Sequence, residues 1–214
     1  DDYKKIGILP IALRNYLLRL GWSYKDKEIF NNEESIKFFN LKNIGKSPSK
    51  LDFERIKSLN EYYIKNLDEK ELFKHFIIFI NEYKKKIEEK YSKIIFENLN
   101  ILKNKAKTLE DIYNNSRFIF EYNKTLIINN SLITEKNKNY LKDFLKEISK
   151  IEGYCDKKIV EISESVLKKN NINFKELGEP LRMILTGSTK APSIKEIVKI
   201  LGINETISRL KQYI

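Results

Sequence analysis

The 214-residue sequence predicts an all-α protein, and three observations support this prediction. Glycine and proline are scarce, with seven and four residues, where average usage would give about 25 together. Apolar residues recur with the 3.6-residue spacing of an amphipathic helix through most of the chain. Residues that cap helix N-termini stand directly before many of these stretches. These features favour long helices over collagen-like, β-barrel or glycine-rich nucleotide-loop architectures.

The composition argues against several classes of protein. The chain carries a net charge of +11, which indicates either an anionic partner or simply a basic lineage. Because Lys and Arg are spread evenly along the chain, a disordered basic tail is not expected. A single Cys and a single His argue against a disulfide framework and against metal sites built from these residues. No apolar run approaches the ~18 residues of a membrane helix, and no signal peptide is visible. Since the chain begins with Asp1 rather than Met, we interpret it as a processed product or a piece of a longer protein.

Two helices are predicted in the first 65 residues. Pro10 suits the first turn of a helix and Gly21 its end. After a Ser-Pro loop at 44–49, Asp52 is placed to cap the second helix. The predicted buried stripes are Leu13, Tyr16, Leu17 and Leu20 in the first helix and Phe53, Ile56, Leu59 and Tyr63 in the second.

Further capped helices are predicted along the middle of the chain. Asp68 begins a capping-box pattern, and the stretch 72–105 is helical by propensity with a break near 90–92. Thr108 and Thr134 each precede another amphipathic stretch.

The last sixty residues predict four short helices. A helix over 157–169 is followed by one that we expect to begin at Pro180 and to end at Gly187, which favours the left-handed cap conformation. Ser193 begins a capping box for the next helix, and Asn204 is placed to cap the final one.

No residue pattern for catalysis stands out. The sequence has no glycine-rich phosphate loop, no nucleophile elbow and no His-Cys-Asp grouping. His75 is interpreted as a partly buried structural residue, Cys155 has no assigned role, and the run Lys84–Lys86 is typical of a solvated helix face. Composition and periodicity by themselves therefore indicate only a basic helical protein.

Four linear segments resemble a known family. They are Gly7-Ile8-Leu9-Pro10-Ile11-Ala12-Leu13-Arg14-Asn15-Tyr16-Leu17 with Leu20-Gly21-Trp22-Ser23, then Leu59-Asn60-Glu61-Tyr62-Tyr63-Ile64, then Lys105-Ala106-Lys107-Thr108-Leu109, and Pro180-Leu181-Arg182-Met183-Ile184-Leu185-Thr186-Gly187-Ser188. In this order they resemble the C-terminal, tRNA-binding half of bacterial glutamyl-tRNA synthetases, in the class I aminoacyl-tRNA synthetase family. The HIGH and KMSKS motifs, which hold ATP in that family, would lie before Asp1.

The resemblance implies an all-α architecture in three parts. These are a helical stem-contact region over residues 1–65, followed by two helical anticodon-binding domains over 66–148 and 149–214. It also implies that the chain binds tRNA(Glu), with tRNA(Gln) left open as a second partner. The parent enzyme, expected to be a cytoplasmic monomer, would ligate glutamate to tRNA with ATP and Mg. For the chain itself the resemblance implies no catalytic residue, no metal, no cofactor and no membrane contact.

The resemblance also implies individual contacts with tRNA. Arg182 matches the Arg of the family's P-L-R block, and its planar fork suits a base edge, although a structural ion pair is the alternative. Lys105 stands where some members have an Arg. Since a Lys cannot make the bidentate contact, discrimination between tRNA(Glu) and tRNA(Gln) stays open. The implied anticodon contacts are Arg182, Pro192, Ile194 and Lys105, and the implied stem contacts are Lys46, Lys50, Tyr63 and Lys65.

Two other functions stay open at this point. The chain would otherwise be a stand-alone helical RNA-binding protein, or a helical protein-interaction module with incidental basic charge. The sequence before Asp1 would separate the first alternative from a synthetase fragment. Salt-dependent binding of tRNA would separate the second.

Overall fold

The computed structural model describes residues 2–45, 50–122 and 131–214, and for Lys136 it describes only the backbone. Within these ranges the chain is helical, with one isolated bridge between Trp22 and Ile44 and no strand, which confirms the all-α prediction. In the described ranges, no helix has both the length and the apolar character needed to cross a bilayer. The helices are α1 (Asp2–Lys5), α2 (Pro10–Gly21), α3 (Asn32–Phe38), α4 (Phe53–Asn66), α5 (Glu69–Tyr83), α6 (Glu89–Glu97), α7 (Leu99–Leu102), α8 (Leu109–Phe120), α9 (Glu135–Ile148), α10 (Asp156–Asn170), α11 (Phe174–Thr186), α12 (Ile194–Leu201) and α13 (Ile203–Lys211), with a 3-10 turn at Leu41–Asn43.

The chain divides into two compact units that alternate along the sequence. The first unit consists of Asp1–Glu88 and Leu102–Asn114, and the second consists of Glu89–Ile101 and Asn115–Ile214. The three-part division at residues 65 and 148 concerns the expected contacts with tRNA, and it stays a prediction.

The caps predicted from the sequence are confirmed at the N-termini of α4, α5, α8 and α9. The side chains of Asp52, Asp68, Thr108 and Thr134 each accept a hydrogen bond from a backbone N–H in the first turn of the following helix. These residues replace the intrahelical partners that the first N–H groups of a helix lack. At the last helix the predicted cap is wrong by two residues, because Gly202 is the N-cap of α13 and Asn204 lies inside the first turn.

The buried faces of α2 and α4 are rotated from the predicted apolar stripes. In α2, Leu17 is 50% exposed, whereas Asn15 is buried. In α4, Phe53 is 50% exposed, whereas Asn60 is buried. Both buried faces contain an asparagine, and a search for apolar periodicity does not count such a residue as part of the core.

Lys84 ends α5, so the predicted helix break near 90–92 is wrong and the break lies at residues 84–88. The backbone of Lys84 is extended, with φ −131° and ψ 176°. Its ammonium group pairs with Glu110 and lies 5.7 Å from the ring centroid of Phe79 and 5.4 Å from that of Tyr113. A carboxylate and two aromatic faces hold Lys84 out of the helix, so it does not belong to a solvated helix face.

Asn60 joins three segments of the first unit. Its side chain is fully buried. The amide oxygen accepts a hydrogen bond from the N–H of Leu9 at 2.8 Å, and the amide nitrogen donates to the carbonyl oxygens of Gly7 (3.2 Å) and Lys107 (2.7 Å). Gly7 allows this approach, because its φ is +80° and a Cβ there would lie 2.7 Å from the backbone nitrogen of Leu109.

We expect Asn60→Ala to lower the free energy of unfolding of the first unit by about 3 kcal/mol, because the N–H of Leu9 and the carbonyl of Lys107 lose their partner. The carbonyl of Gly7 keeps the N–H of Leu109 as its donor. Fluorescence of Trp22, the only tryptophan, reports unfolding of this unit during urea titration. Asn66→Ala is the matched control, since Asn66 lies on the same helix and donates to the carbonyl of Tyr62 at an exposed site. Equal losses in the two variants would contradict the central role of Asn60.

Candidate nucleic-acid interface

Helix α11 presents Arg182, and it begins at Phe174, well before the predicted start at Pro180. The side chain of Asn173 accepts hydrogen bonds from the N–H groups of Lys175 and Glu176. The carboxylate of Glu176 accepts in return from the N–H of Asn173 at 2.9 Å. The prediction is wrong because this reciprocal capping box starts the helix and Pro180 lies inside it.

Pro180 removes one hydrogen bond from α11, and α9 replaces it. Because a proline has no N–H, the carbonyl of Glu176 lacks its helical partner four residues later. The hydroxyl of Tyr140 donates to that carbonyl at 3.0 Å. Tyr140 is 4% exposed, and burial raises the pKa of its hydroxyl. The hydroxyl therefore stays protonated and available as a donor.

The C-terminal end of α11 is held by donors from two other parts of the second unit. Gly187 ends the helix with φ +76°, as predicted. The hydroxyl of Tyr122 donates to the carbonyl of Ile184 at 2.6 Å, and the guanidinium of Arg209 donates to that of Leu185 at 2.6 Å. Arg209 is 4% exposed and lies 3.9 Å from the ring centroid of Tyr122. A buried cation at a helix C-terminus is also favoured by the helix dipole.

These supporting residues were not identified from the sequence. Tyr122, Tyr140 and Arg209 act on backbone carbonyls of a distant helix, so no spacing along the chain connects them with it. The available signal was Pro180 inside a capped helical stretch, since such a proline requires a donor from elsewhere.

Arg182 is half-buried, and its Nε donates to the carbonyl of Pro192 at 3.1 Å. The structure thereby brings together two of the residues expected to contact an anticodon. Among the described residues no carboxylate forms an ion pair with Arg182. The Nη groups retain further N–H donors of the planar fork, and these suit a hydrogen-bonding ligand.

The loop between α11 and α12 is held in place near Arg182. The hydroxyl of Thr186 donates to the carbonyl of Arg182 at 2.8 Å, and Ser193 and Glu196 form the predicted capping box of α12. Pro192 is half-buried, whereas the side chain of Ile194 is only 4% exposed. A contact between RNA and Ile194 would therefore involve its backbone rather than its side chain.

The remaining expected contact residues lie in the first unit or outside the described residues. Lys50, Lys65 and Lys105 are exposed. Lys65 pairs with Glu61 at 2.7 Å along α4, and Lys105 adopts a left-handed backbone with φ +61° in the turn before α8. Lys46 lies outside the described residues.

Tyr63 lies in the core instead of at a surface that a tRNA stem could reach. Its side chain is 6% exposed, and its hydroxyl donates to the carbonyl of Phe30 at 2.9 Å. Burial raises the pKa of this hydroxyl to about 12. The neighbouring Tyr62 is 44% exposed, and it is this ring that α4 presents to solvent.

Two family models match the chain. The model described as an anticodon binding domain matches residues 56–214. The model described as the catalytic domain of class I tRNA synthetases (E and Q) matches residues 1–58. The segment interpreted as a stem-contact region therefore carries sequence that is assigned to this catalytic family.

The chain is similar to several glutamate–tRNA ligases. It is 50% identical to that of Pelagibacter ubique, over 98% of this chain and 45% of the relative. It is 37% identical to that of Wigglesworthia glossinidia brevipalpis, over 98% of this chain and 44% of the relative. The chain thus spans less than half the length of these curated relatives.

Solved structures show the same fold. A glutamate tRNA ligase from Elizabethkingia meningosepticum, in complex with its amino acid, superposes with a TM-score of 0.79 at 24% identity, over 99% of this chain and 42% of that chain. A glutamate–tRNA synthetase from Elizabethkingia anophelis gives a TM-score of 0.74 at 24% identity, over 99% and 41%.

We expect Tyr140→Phe to lower the free energy of unfolding by about 1 kcal/mol, because the carbonyl of Glu176 loses its donor. In a Pro180→Ala background, Tyr140→Phe should lower the free energy of unfolding much less, because the N–H at position 180 then donates to the carbonyl of Glu176 from within α11. Urea unfolding followed by far-ultraviolet circular dichroism measures the four free energies of this cycle.

Tyr154→Phe is the control for this cycle, since the hydroxyl of Tyr154 also donates a hydrogen bond within the second unit, to the carboxylate of Asp156 rather than to α11. Its cost should be independent of residue 180. If the cost of Tyr140→Phe were also unchanged by Pro180→Ala, Tyr140 would not be the substitute donor.

Proposed function

Because the chain belongs to the anticodon-binding domain family, we propose that it recognises tRNA for a glutamate–tRNA ligase and contributes no catalytic residue of its own. The observation that supports this most directly is the family match over residues 56–214, which includes Arg182 and the loop at Pro192. The Nη groups of the half-buried Arg182 form no hydrogen bond with a described residue, so they are left to pair with a base edge.

The three-part division assigns a role to each part of the chain. Residues 1–65 contact the tRNA stem, with Lys50 and Lys65 as exposed cations, and residues 66–148 and 149–214 bind the anticodon. Unpaired anticodon bases can be splayed out and read on their edges. The net charge of +11 supplies the sequence-independent attraction to phosphates.

The parent enzyme, in this proposal, is a cytoplasmic monomer of the class I synthetases that joins glutamate to tRNA(Glu). It uses ATP and Mg, which its nucleotide-binding part would hold.

Lys105 leaves the choice between tRNA(Glu) and tRNA(Gln) open in this proposal. The residue is exposed, so its ammonium group can approach a base or a phosphate. A Lys donates as a point charge and cannot form the planar pair of hydrogen bonds that an Arg forms. We therefore leave tRNA(Gln) open as a second partner beside tRNA(Glu).

We expect the 214-residue chain to bind tRNA with strong salt dependence and to show no ATP–pyrophosphate exchange. With about four phosphate contacts, affinity should fall on the order of hundredfold between roughly 50 and 200 mM salt. Filter binding or fluorescence anisotropy measures the affinity. Absence of tRNA binding at low salt would favour a protein-interaction module instead, and exchange above background would contradict the assignment of ATP binding to the rest of the parent enzyme.

We expect Arg182→Ala to weaken binding of tRNA with the cognate anticodon by about 1–3 kcal/mol, the range for one good base-edge contact. Discrimination against a swapped anticodon should fall with it, while the melting temperature holds. Arg182→Lys keeps the charge and removes the fork, so it should not restore discrimination.

Arg117→Ala is the control for Arg182, since Arg117 is an exposed arginine of the second unit that pairs with Glu121. All affinities are compared at one salt concentration, because the phosphate contribution varies with salt. Loss of stability with an unchanged ratio of affinities for the two anticodons would assign Arg182 a structural role.

A further inference from the structure

Phe174, Gly178 and Arg182 lie along one face of α11, because residues four apart are neighbours on a helix. The ring of Phe174 is 52% exposed. A Cβ added at Gly178 would lie 3.6 Å from Cε1 of Phe174 and 3.2 Å from Nη1 of Arg182. Gly178 itself is buried, so the edge of the ring and the end of the guanidinium lie over its backbone from two sides. We call these three residues the α11 notch.

The residues of the α11 notch contribute little to helix stability, but they can bind a ligand. A glycine inside a helix is less favourable than an alanine, yet here the missing side chain lets a ring and a guanidinium lie against the helix backbone. An exposed Phe by itself is common and needs no explanation. An exposed aromatic face beside an open guanidinium fork, however, offers both stacking and paired hydrogen bonds, which together recognise an unpaired base.

The carboxylates at the notch are already engaged. Glu176 accepts a hydrogen bond from the N–H of Asn173, and Glu179 pairs with Lys175 at 3.8 Å. Neither forms an ion pair with Arg182 in the described residues. The positive charge of Arg182 is thus left for an anionic ligand such as RNA.

We propose that the α11 notch binds one unpaired anticodon nucleotide, with the base stacked on the ring of Phe174 while Arg182 donates to its edge. This inference rests on the proposed function and adds Phe174 as a binding residue and Gly178 as a positioning residue. Gly178 acts through Arg182, since its missing side chain sets where the guanidinium lies.

The first test uses an anticodon stem–loop RNA and the full 214-residue chain. Phe174→Ala should weaken binding roughly five- to hundredfold, the range for loss of one stacked base, whereas Phe174→Trp should bind like the unchanged chain. Phe53→Ala is the matched control, because Phe53 is 50% exposed but lies in the first unit, in the segment assigned to the tRNA stem.

A set of stem–loops lacking the base at each anticodon position in turn identifies the stacked base. At one position the loss caused by Phe174→Ala should disappear, since the ring then has no base to stack on. The stacking role is wrong if the affinity of Phe174→Ala for the intact loop is within about twofold of that of the unchanged chain. It is also wrong if Phe174→Ala loses the same factor of affinity for every loop. Full binding by Phe174→Leu would also overturn it, because leucine keeps apolar contact without a ring.

Gly178→Ala tests the notch without replacing either ligand-binding side chain. Nη1 of Arg182 lies 3.2 Å from the new Cβ, so the guanidinium must shift by a few tenths of an ångström. We expect the melting temperature to hold or rise, because alanine favours helix, while affinity for the cognate loop falls roughly tenfold. Unchanged affinity would contradict the positioning role of Gly178.

The two proposals fail in different ways. If the unchanged chain does not bind the stem–loop or whole tRNA at low salt, the proposed function fails. If the unchanged chain binds and discriminates anticodons but the Phe174 and Gly178 variants do so equally well, only the α11 notch is wrong. Binding of an acidic peptide in competition with the stem–loop, with no dependence on the anticodon bases, would assign the notch to a protein partner and overturn it as a nucleotide site.

Discussion

The position of Arg182 depends on hydrogen-bond donors that other helices supply to the backbone of α11. A helix that contains a proline and ends at a glycine has carbonyl groups that it cannot satisfy itself. Tyr140 donates near its middle, and Tyr122 and Arg209 donate near its end. Since these donors have no substitute within α11, the helix cannot slide without leaving polar groups unpaired, and the guanidinium is held against the loop at Pro192.

In the first unit, a single asparagine side chain forms hydrogen bonds with backbone groups that lack a partner in their own segment. Asn60 satisfies backbone groups of Gly7, Leu9 and Lys107, which belong to segments that are far apart in the chain. An apolar residue at position 60 would fill the space but leave the N–H of Leu9 and the carbonyl of Lys107 without that partner. In both units, therefore, segments that are distant in sequence are joined by hydrogen bonds from side chains to the backbone as well as by apolar contact.

The charged residues suit two different kinds of contact with RNA, namely attraction of phosphates and recognition of a base edge. Arg19, Arg55, Arg117 and Arg209 each lie within ion-pair distance of a carboxylate in the described part of the chain. Arg182 has a backbone carbonyl as its partner instead. Surface lysines suit the diffuse attraction of phosphates, whereas a fork that is held in place and left open suits a base edge.

The sequence by itself determined the helical class, most of the helix starts and the family. Scarce glycine and proline, local caps and the ordered motifs are properties of neighbouring residues, so they can be recognised without a structure. Only the tertiary structure decided which faces are buried, where α5 ends and where α11 begins, and that Tyr63 is core while Tyr62 is exposed. It also placed Phe174 and Gly178 beside Arg182. The physical reason is that burial and hydrogen-bond pairing depend on residues from distant segments, such as Tyr140 with Glu176 and Asn60 with Lys107, which no local pattern connects.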